Sequence, residues 1–389
     1  MKLAVRMGSL QTSIFSQLAS LKETLKREGK TLIDLSVGSP DLPPSLEIRK
    51  IISEQSLDER AYGYTLTRGI PEFREACSLW YKRRFNVDID PATEVLPVMG
   101  SQDGLTHIFW AFIDKGDAAF IPEPGYPIYS DGLALVEGEK VVLPLLETND
   151  FLPDLNRITP QIADRAKLMV LNYPNNPTAA VAPETFFNEV VRFASKHGIV
   201  VCHDAAYTEL AFDGYRPSSF LQAKGAKDVG VEFHSLSKSY NMAGVRLGFV
   251  VGNKEVIRAL ETIKSNIDYG SFQPVLKAGA AVLSGGDQTI LANQQTYKNR
   301  RDIWVDGCAR AGWKMNRPKG SMFVWAPVPT KQDSLSFAFE LASEAGVLVV
   351  PGIAFGRYGE GYVRVGLVQD ETKLQEAVQR VGTFLAGKD

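Results

Sequence analysis

From residue 94 onward the chain repeats one pattern: a short apolar run, a polar turn, then apolar residues at helical spacing. Glu94 to Met99 reads as a strand and GSQDG (100–104) turns the chain. Leu105, Ile108, Phe109 and Phe112 then fall at the i, i+3, i+4 and i+7 positions of an amphipathic helix. Further strand-like runs lie at Ala118 to Ile121, Lys167 to Leu171, Ile199 to His203, Val229 to His234 and Arg246 to Val251, with a helix from Phe186 to His197 between two of them. Short apolar runs separated by helices are covered on both faces, so the pattern predicts an α/β fold with a mostly parallel sheet. In such sheets ligands bind beyond the carboxyl ends of the strands, which says where to look for chemistry.

The flanks read differently. Residues 11–29 have Ile14, Leu18, Leu21 and Leu25 on one helical face, and residues 32–45 (LIDLSVGSPDLPPS) form a short strand and a Gly/Pro-rich loop. Pro71 to Arg84 is predicted helical, with Pro71 suited to the first turn. After residue 252 a long helical stretch runs to about residue 312. The last part mixes strands (Met322 to Trp325, Val347 to Val350, Tyr362 to Leu367) with helices (Ser336 to Ala345, Asp370 to Leu385). Asp370 is placed to cap the final helix, which carries Leu374, Val378 and Val381 on one face. The expected organisation is a segment 1–40 that packs with the small domain, a large ligand-binding domain over 41–280, and a smaller α+β domain over 281–389.

Composition removes several function classes. Forty-three basic against 45 acidic residues leave a net charge of −2, without the basic excess of a nucleic-acid binder. The three cysteines (Cys77, Cys202, Cys308) are scattered and odd in number, so no disulfide framework is expected and a reducing cytoplasm fits. The start, MKLAVRMGSL, has no apolar region of signal-peptide length, and no run approaches the roughly 20 apolar residues of a membrane span. The four histidines show no ligand spacing and there is no CxxC pair, so no metal site is expected.

Gly100, Ser101 and Gln102 follow the first strand of the repeat and open a helix; NYPNNPT, Asp204 with Tyr207, and SLSKSYNMAGVR follow later strands. Each has an ordinary structural explanation alone: a capped turn, a cap carboxylate, a solvated lysine at Lys238, a packed aromatic at Tyr126, a salt-bridged Arg364. Their concentration at one sheet edge is the signal. A helix N-terminus offers free N–H groups to a phosphate. Ser235 and Ser237 add hydroxyls, and Arg246 adds a planar fork suited to phosphate. Asp204 can pair with a cationic ring nitrogen, Asn176 and Tyr207 can hydrogen-bond a phenolate oxygen, and Tyr126 can stack on a flat ring. Beside a lysine, this set fits pyridoxal 5'-phosphate, whose recognisable marks are a lysine linkage and a carboxylate partner for the ring nitrogen.

The same residues carry a family resemblance. SLSKSYNMAGVRLGF around Lys238, HDAAY (203–207), NYPNNPT (172–178), PGYPIY (124–129), GSQDG (100–104), YGYTLTRGIPEFREA (62–76) and YVRVGL (362–367) resemble, in order from about residue 30 to the end, the class I aminotransferases of PLP fold type I. The resemblance implies that the mostly parallel sheet is of the seven-stranded type. It implies Lys238 as the Schiff-base lysine and general base, Asp204 on the ring nitrogen, and Tyr207 with Asn176 on the ring oxygen. It implies Ser101, Gln102, Ser235, Ser237 and Arg246 on the phosphate, with Tyr64 reaching the phosphate of a partner subunit in a homodimer with shared active sites. Arg364 would hold the substrate α-carboxylate, with Gly38 and Asn176 nearby. Ala179 departs from the family, which usually has Gly after NNPT, and this bears on local loop geometry.

The implied reaction moves an amino group between an L-amino acid and a 2-oxo acid, with glutamate and 2-oxoglutarate as the expected partner pair. The stretches DLSVGSPDLPPS, EFREACSLWYKRRFNVDIDP, FLPDL and KSNIDYG resemble most the bacterial LL-diaminopimelate type within the family. Relatives that act on alanine, aspartate, methionine or aromatic amino acids remain alternatives, as does a C–S β-lyase, which needs the same Lys238 and Asp204. A PLP-fold regulatory module would bring a DNA-binding domain for which the N-terminal segment is too short. A nicotinamide dehydrogenase would show a GxGxxG opening a helix after a strand, and none is present.

Overall fold

The computed structural model describes residues 3–8, 10 and 14–388. The first helix covers Ile14–Arg27; residues 11–13 of its expected span lie outside the described residues. After a two-residue strand β1 (Ile33–Asp34), the central sheet is built from β2 (Val95–Val98), β3 (Ala118–Glu123), β4 (Glu139–Pro144), β5 (Ala166–Asn172), β6 (Val200–Asp204), β7 (Gly230–Ser235) and β8 (Gly248–Gly252). Their order is β2-β8-β7-β6-β5-β3-β4. All neighbours pair parallel except β8, which runs antiparallel to both β2 and β7.

The sheet is covered on both faces, as runs of apolar strand residues require. On one face Phe120, Met169, Val201 and Phe249 pack against Phe73, Trp80 and Tyr81 of helix Pro71–Phe85 and Phe187 and Val190 of helix Glu184–His197. On the other, Leu96, Ile121, Val170 and Phe233 pack against Leu105, Ile108 and Phe109 of helix Ser101–Phe112 and Ile257 and Leu260 of helix Lys254–Ile267.

The seventh strand, β4, is the one that the apolar-run reading passes over. It sits at the sheet edge, opens with exposed Glu139 and Lys140 and ends in Pro144, so it is half-solvated. Charge and proline are what an unpaired sheet edge tolerates, and they disguise a strand in a search for apolar runs.

The C-terminal part holds a three-stranded antiparallel sheet, β11-β12-β9, from β9 (Phe323–Pro327), β11 (Val350–Pro351) and β12 (Tyr362–Gly366). The expected single strand Val347 to Val350 is divided: β10 (Val347–Leu348) pairs parallel with β1, and the chain changes sheets at Val349. The expected helix Ser336 to Ala345 is α-helical over Ser334–Glu340 and widens to a π turn over Leu341–Ala345. Asp370 caps the last helix, Glu371–Ala386, by accepting from the Lys373 N–H at 2.8 Å. Ile33, Leu35, Trp304, Val324, Val347, Val365 and Val381 form a second core, and Leu18 of the first helix packs on Trp325, Val350 and Phe355. Among the described residues no helix is long and apolar enough to cross a membrane.

Candidate active site

The ends of β5, β6 and β7, the N-terminus of helix Ser101–Phe112, the loop after β1 and strand β12 converge on one cavity of about 400 Å³. Gly38, Ser101, Gln102, Tyr126, Asn176, Asp204, Tyr207, Ser235, Ser237, Lys238, Arg246 and Arg364 all line it. Tyr64 does not: it is 94% exposed on the outer surface, with its ring edge-on to Tyr269 at 5.8 Å. A larger cleft of about 660 Å³ opens between residues 147–152, 178–183 and 314–319 and holds none of these groups.

Lys238 lies on a single helical turn, Leu236–Ser239, capped by Ser235, whose hydroxyl accepts from the Ser237 N–H at 3.2 Å. Its Nζ donates to the Gly38 carbonyl at 2.6 Å. Burial and the neighbouring Arg364 and Arg246 guanidiniums hold its pKa down to about 8. A buried amine beside two cations is readily neutral, and only a neutral amine is a nucleophile or a base.

Asp204 ends β6 at 4% exposure, and burial raises its pKa. Its Oδ2 accepts from the Tyr129 hydroxyl at 2.7 Å and its Oδ1 from the Ala206 N–H at 3.2 Å. A buried carboxylate of this kind wants a cationic partner. Asn172 at the end of β5 donates from Nδ2 to the Asp204 carbonyl at 2.7 Å and accepts from the Asn176 N–H at 2.7 Å, so one amide ties the two strand ends together.

Arg364 is the least ordinary side chain in the cavity. It is 4% exposed, and among the described residues no carboxylate pairs with it. Its guanidinium is held between the rings of Phe323 (4.3 Å) and Phe355 (4.9 Å). Nη1 donates to Asn176 Oδ1 and Nη2 to the Ser36 carbonyl, both at 2.9 Å, while Nε is buried without a partner. Burial lowers its pKa to about 10, which still leaves it charged at neutral pH. Two of five donors are used, so a planar anion has donors left to meet. On β12, Val363 and Val365 go to the core, so Arg364 faces the other way, as the alternation in YVRVGL predicts.

At the other end of the cavity the helix Ser101–Phe112 begins without a side-chain cap, at Gly100 with φ +83°. A Cβ on Gly100 would lie 2.6 Å from Arg246 Nη2, so glycine lets the guanidinium lie against the helix start. Free N–H groups, hydroxyls and a guanidinium make a dianion cradle. Tyr126 donates to Gln102 Oε1 at 3.1 Å and borders the space between cradle and Asp204.

The apolar-run and strand-end reading misses several contributors. Tyr129, Asn172, Ser36, Phe323 and Phe355 touch the polar groups of the site, and Phe15 and Val37 line the cavity. PGYPIY and NYPNNPT contain the first two, but nothing in their spacing says which aromatic faces the cavity and which lies behind its wall. A second unforeseen cluster joins Asp103, His107 and Asp268, where the buried Lys264 ammonium bridges the two carboxylates and supplies the positive charge.

The donor set fits pyridoxal 5'-phosphate. It offers an amine for the aldehyde, a buried carboxylate for the ring nitrogen, a hydroxyl and an amide for the ring oxygen, and the cradle for the phosphate. Arg364, which lines the same cavity with guanidinium donors to spare, suits a carboxylate.

Known proteins similar in sequence and fold identify the family. A family model for class I and II aminotransferases matches residues 30–381. LL-diaminopimelate aminotransferase from Moorella thermoacetica is 46% identical over 386 residues, covering 99% of both chains. The enzyme of the same name from Dehalococcoides mccartyi is 43% identical, with 99% of each covered. Among solved structures, substrate-bound BacF from Bacillus subtilis superposes with a TM-score of 0.94 at 37% identity, covering 99% of this chain and 98% of that one. An aspartate aminotransferase double mutant from Thermus thermophilus gives 0.91 at 27%, covering 98% and 99%. Sequence, fold and site together make this chain a member of the class I and II aminotransferases, and an enzyme that depends on pyridoxal 5'-phosphate.

Proposed function

We propose that the enzyme transfers an amino group from LL-diaminopimelate to 2-oxoglutarate, giving L-glutamate and an open-chain 2-amino-6-oxo diacid that cyclises with loss of water to tetrahydrodipicolinate, and the reverse, as a step of lysine biosynthesis. The supporting observation is that eight relatives bearing that name match at 41–46% identity over almost the whole chain. A panel of amino donors tests it. LL-diaminopimelate should be the best donor to 2-oxoglutarate, ahead of alanine, aspartate, methionine and aromatic amino acids. Failure to use it removes the assignment, and pyruvate with ammonia from cystathionine would put a C–S β-lyase in its place.

The residue roles are part of the same proposal. Ser101, Gln102, Ser235, Ser237 and Arg246 hold the phosphate, Tyr126 stacks on the ring, and Asn176 with Tyr207 hydrogen-bonds the ring oxygen. When bound, the cofactor supplies the aldehyde that links to the amine and a ring that accepts the electron pair left at the substrate α-carbon. Lys238 Nζ takes the proton from that carbon and delivers it to the next acceptor, as a general base and then acid. Asp204 keeps a proton on the ring nitrogen by favouring its charged form. Arg364 binds the α-carboxylate, with Gly38 and Asn176 beside it, and limits the orientations in which the Cα–H bond meets Lys238. Phe323 and Phe355 keep water from the guanidinium and so strengthen its hold.

We also propose a cytoplasmic homodimer with Tyr64 serving the partner's phosphate. Tyr62, Tyr64, Leu66, Ile267, Tyr269 and Phe272 are all exposed, and ring contacts join Tyr62 to Phe272 and Tyr64 to Tyr269 in one apolar patch. A patch of this kind on a soluble protein marks an interface. We also propose a division at about residue 280 into a large and a small domain. The second core, which joins Ile33 and Leu35 to residues between Tyr297 and Phe384, supports placing the first 40 residues with the small one, while Leu283 and Ile290 still pack in the large core and Leu210 and Phe212 in the small one.

A further inference from the structure

Among the described residues the Tyr129 hydroxyl has one hydrogen-bond partner, Asp204. Tyr129 is the second residue of helix Ile128–Leu135, is 1% exposed and does not line the cavity. Its hydroxyl meets Asp204 Oδ2 at 2.7 Å. Three residues earlier Tyr126 lines the cavity, and the two rings meet edge-on at 5.9 Å and 87°. One short motif therefore supplies one tyrosine to the cavity and a second behind its wall. Each carboxylate oxygen has about two acceptor positions. The Ala206 N–H and the Tyr129 hydroxyl occupy one on each oxygen, which fixes the carboxylate plane and leaves the remaining positions for a ligand.

We infer that Tyr129 is a positioning residue: its hydroxyl orients Asp204 and sets how firmly that carboxylate supports positive charge on the cofactor ring nitrogen. This rests on the assignment of Asp204 proposed above. The physical reasoning is a balance. Burial makes the carboxylate hungry for a proton, and the donated hydrogen bond opposes that. Without the hydroxyl, Asp204 takes more of the shared proton, the ring nitrogen carries less positive charge, and the linkage at Lys238 holds its own proton more tightly.

The test is Tyr129→Phe, which keeps the ring and its packing and deletes only the donor. In the substrate-free holoenzyme the pH midpoint of the visible absorption titration should rise by about one unit, the size of a hydrogen bond to a charged group. The turnover number should fall about tenfold while the KM for the amino donor changes much less. A double-mutant cycle with Asp204→Asn separates action through Asp204 from a general packing effect, because Tyr129→Phe should cost far less in that background. An unmoved titration midpoint, or equal losses in both backgrounds, overturns the inference while leaving Asp204 in its role. Full turnover by Asp204→Asn would overturn both.

Discussion

Lys238 and Ala179 show how single positions depart from their ordinary behaviour. Lys238 sits among cations in a buried place, and a pKa lowered to about 8 gives it a far larger neutral fraction near physiological pH than an exposed lysine has. Charging a group whose folded-state pKa is depressed becomes easier as pH falls, so the neutral fraction rises as pH rises through about 8. Uptake of pyridoxal 5'-phosphate by the cofactor-free protein should accordingly accelerate over that range and then level off, which stopped-flow absorbance would record. Lys238→Ala should fold, bind the cofactor without a covalent link and lose amino transfer; retained turnover would refute its role. Ala179 has φ +57°, in the left-handed region that costs an L-residue about 1–2 kcal/mol. The family glycine belongs there for that reason. Ala179→Gly should remove the strain at the cost of a more flexible unfolded chain. The net gain should be up to about 1 kcal/mol, read from denaturant midpoints, with amino transfer unchanged.

The helix Ser101–Phe112 shows how an element becomes a binding site. Its apolar face is anchored by Leu105, Ile108 and Phe109 against the sheet, so its bare N-terminus points at the cavity with no side-chain cap competing for the N–H groups. Gly100 makes this possible by its positive φ and by leaving room for Arg246. Gly100→Ala should therefore weaken cofactor binding by about tenfold or more, about 1.4 kcal/mol. Equilibrium dialysis of the cofactor would measure it, and an unchanged affinity would show that the cradle does not depend on this close approach. Elements with a strong period were legible from sequence: the final helix, the helix Glu184–His197 and the parallel strands β3, β5, β6 and β7 lie within a few residues of their expected limits. The elements that were not legible owe their form to partners. Residues 347–351 divide between two sheets because β1 and β12 approach from different sides, and β4 exists because β3 offers it an edge. No local pattern records such a neighbour.

Helix Gln288–Arg310 runs from one core to the other, with Ile290 packed under the large sheet and Trp304 under the small one. The cavity lies where these two bodies meet the loop after β1, so Gly38 and Arg364 come to Lys238 from opposite ends of the chain. The aromatic patch around Tyr64 and Tyr269 leaves the single chain with an unburied apolar surface. Dilution that dissociates the proposed dimer should lower both cofactor retention and turnover, and Tyr64→Phe should weaken cofactor binding without changing the oligomer. Sedimentation beside activity assays would check both, and a fully active monomer would exclude shared sites. By itself the sequence determined the layered α/β architecture and the inventory of reactive groups, because periodicity and residue chemistry are local properties. Only the tertiary structure decided which tyrosine stands behind Asp204, which rings clamp Arg364 and which carbonyl receives Lys238. Those choices depend on distances between segments far apart in the chain, and burial, which shifts the pKa values, exists only once the segments have packed.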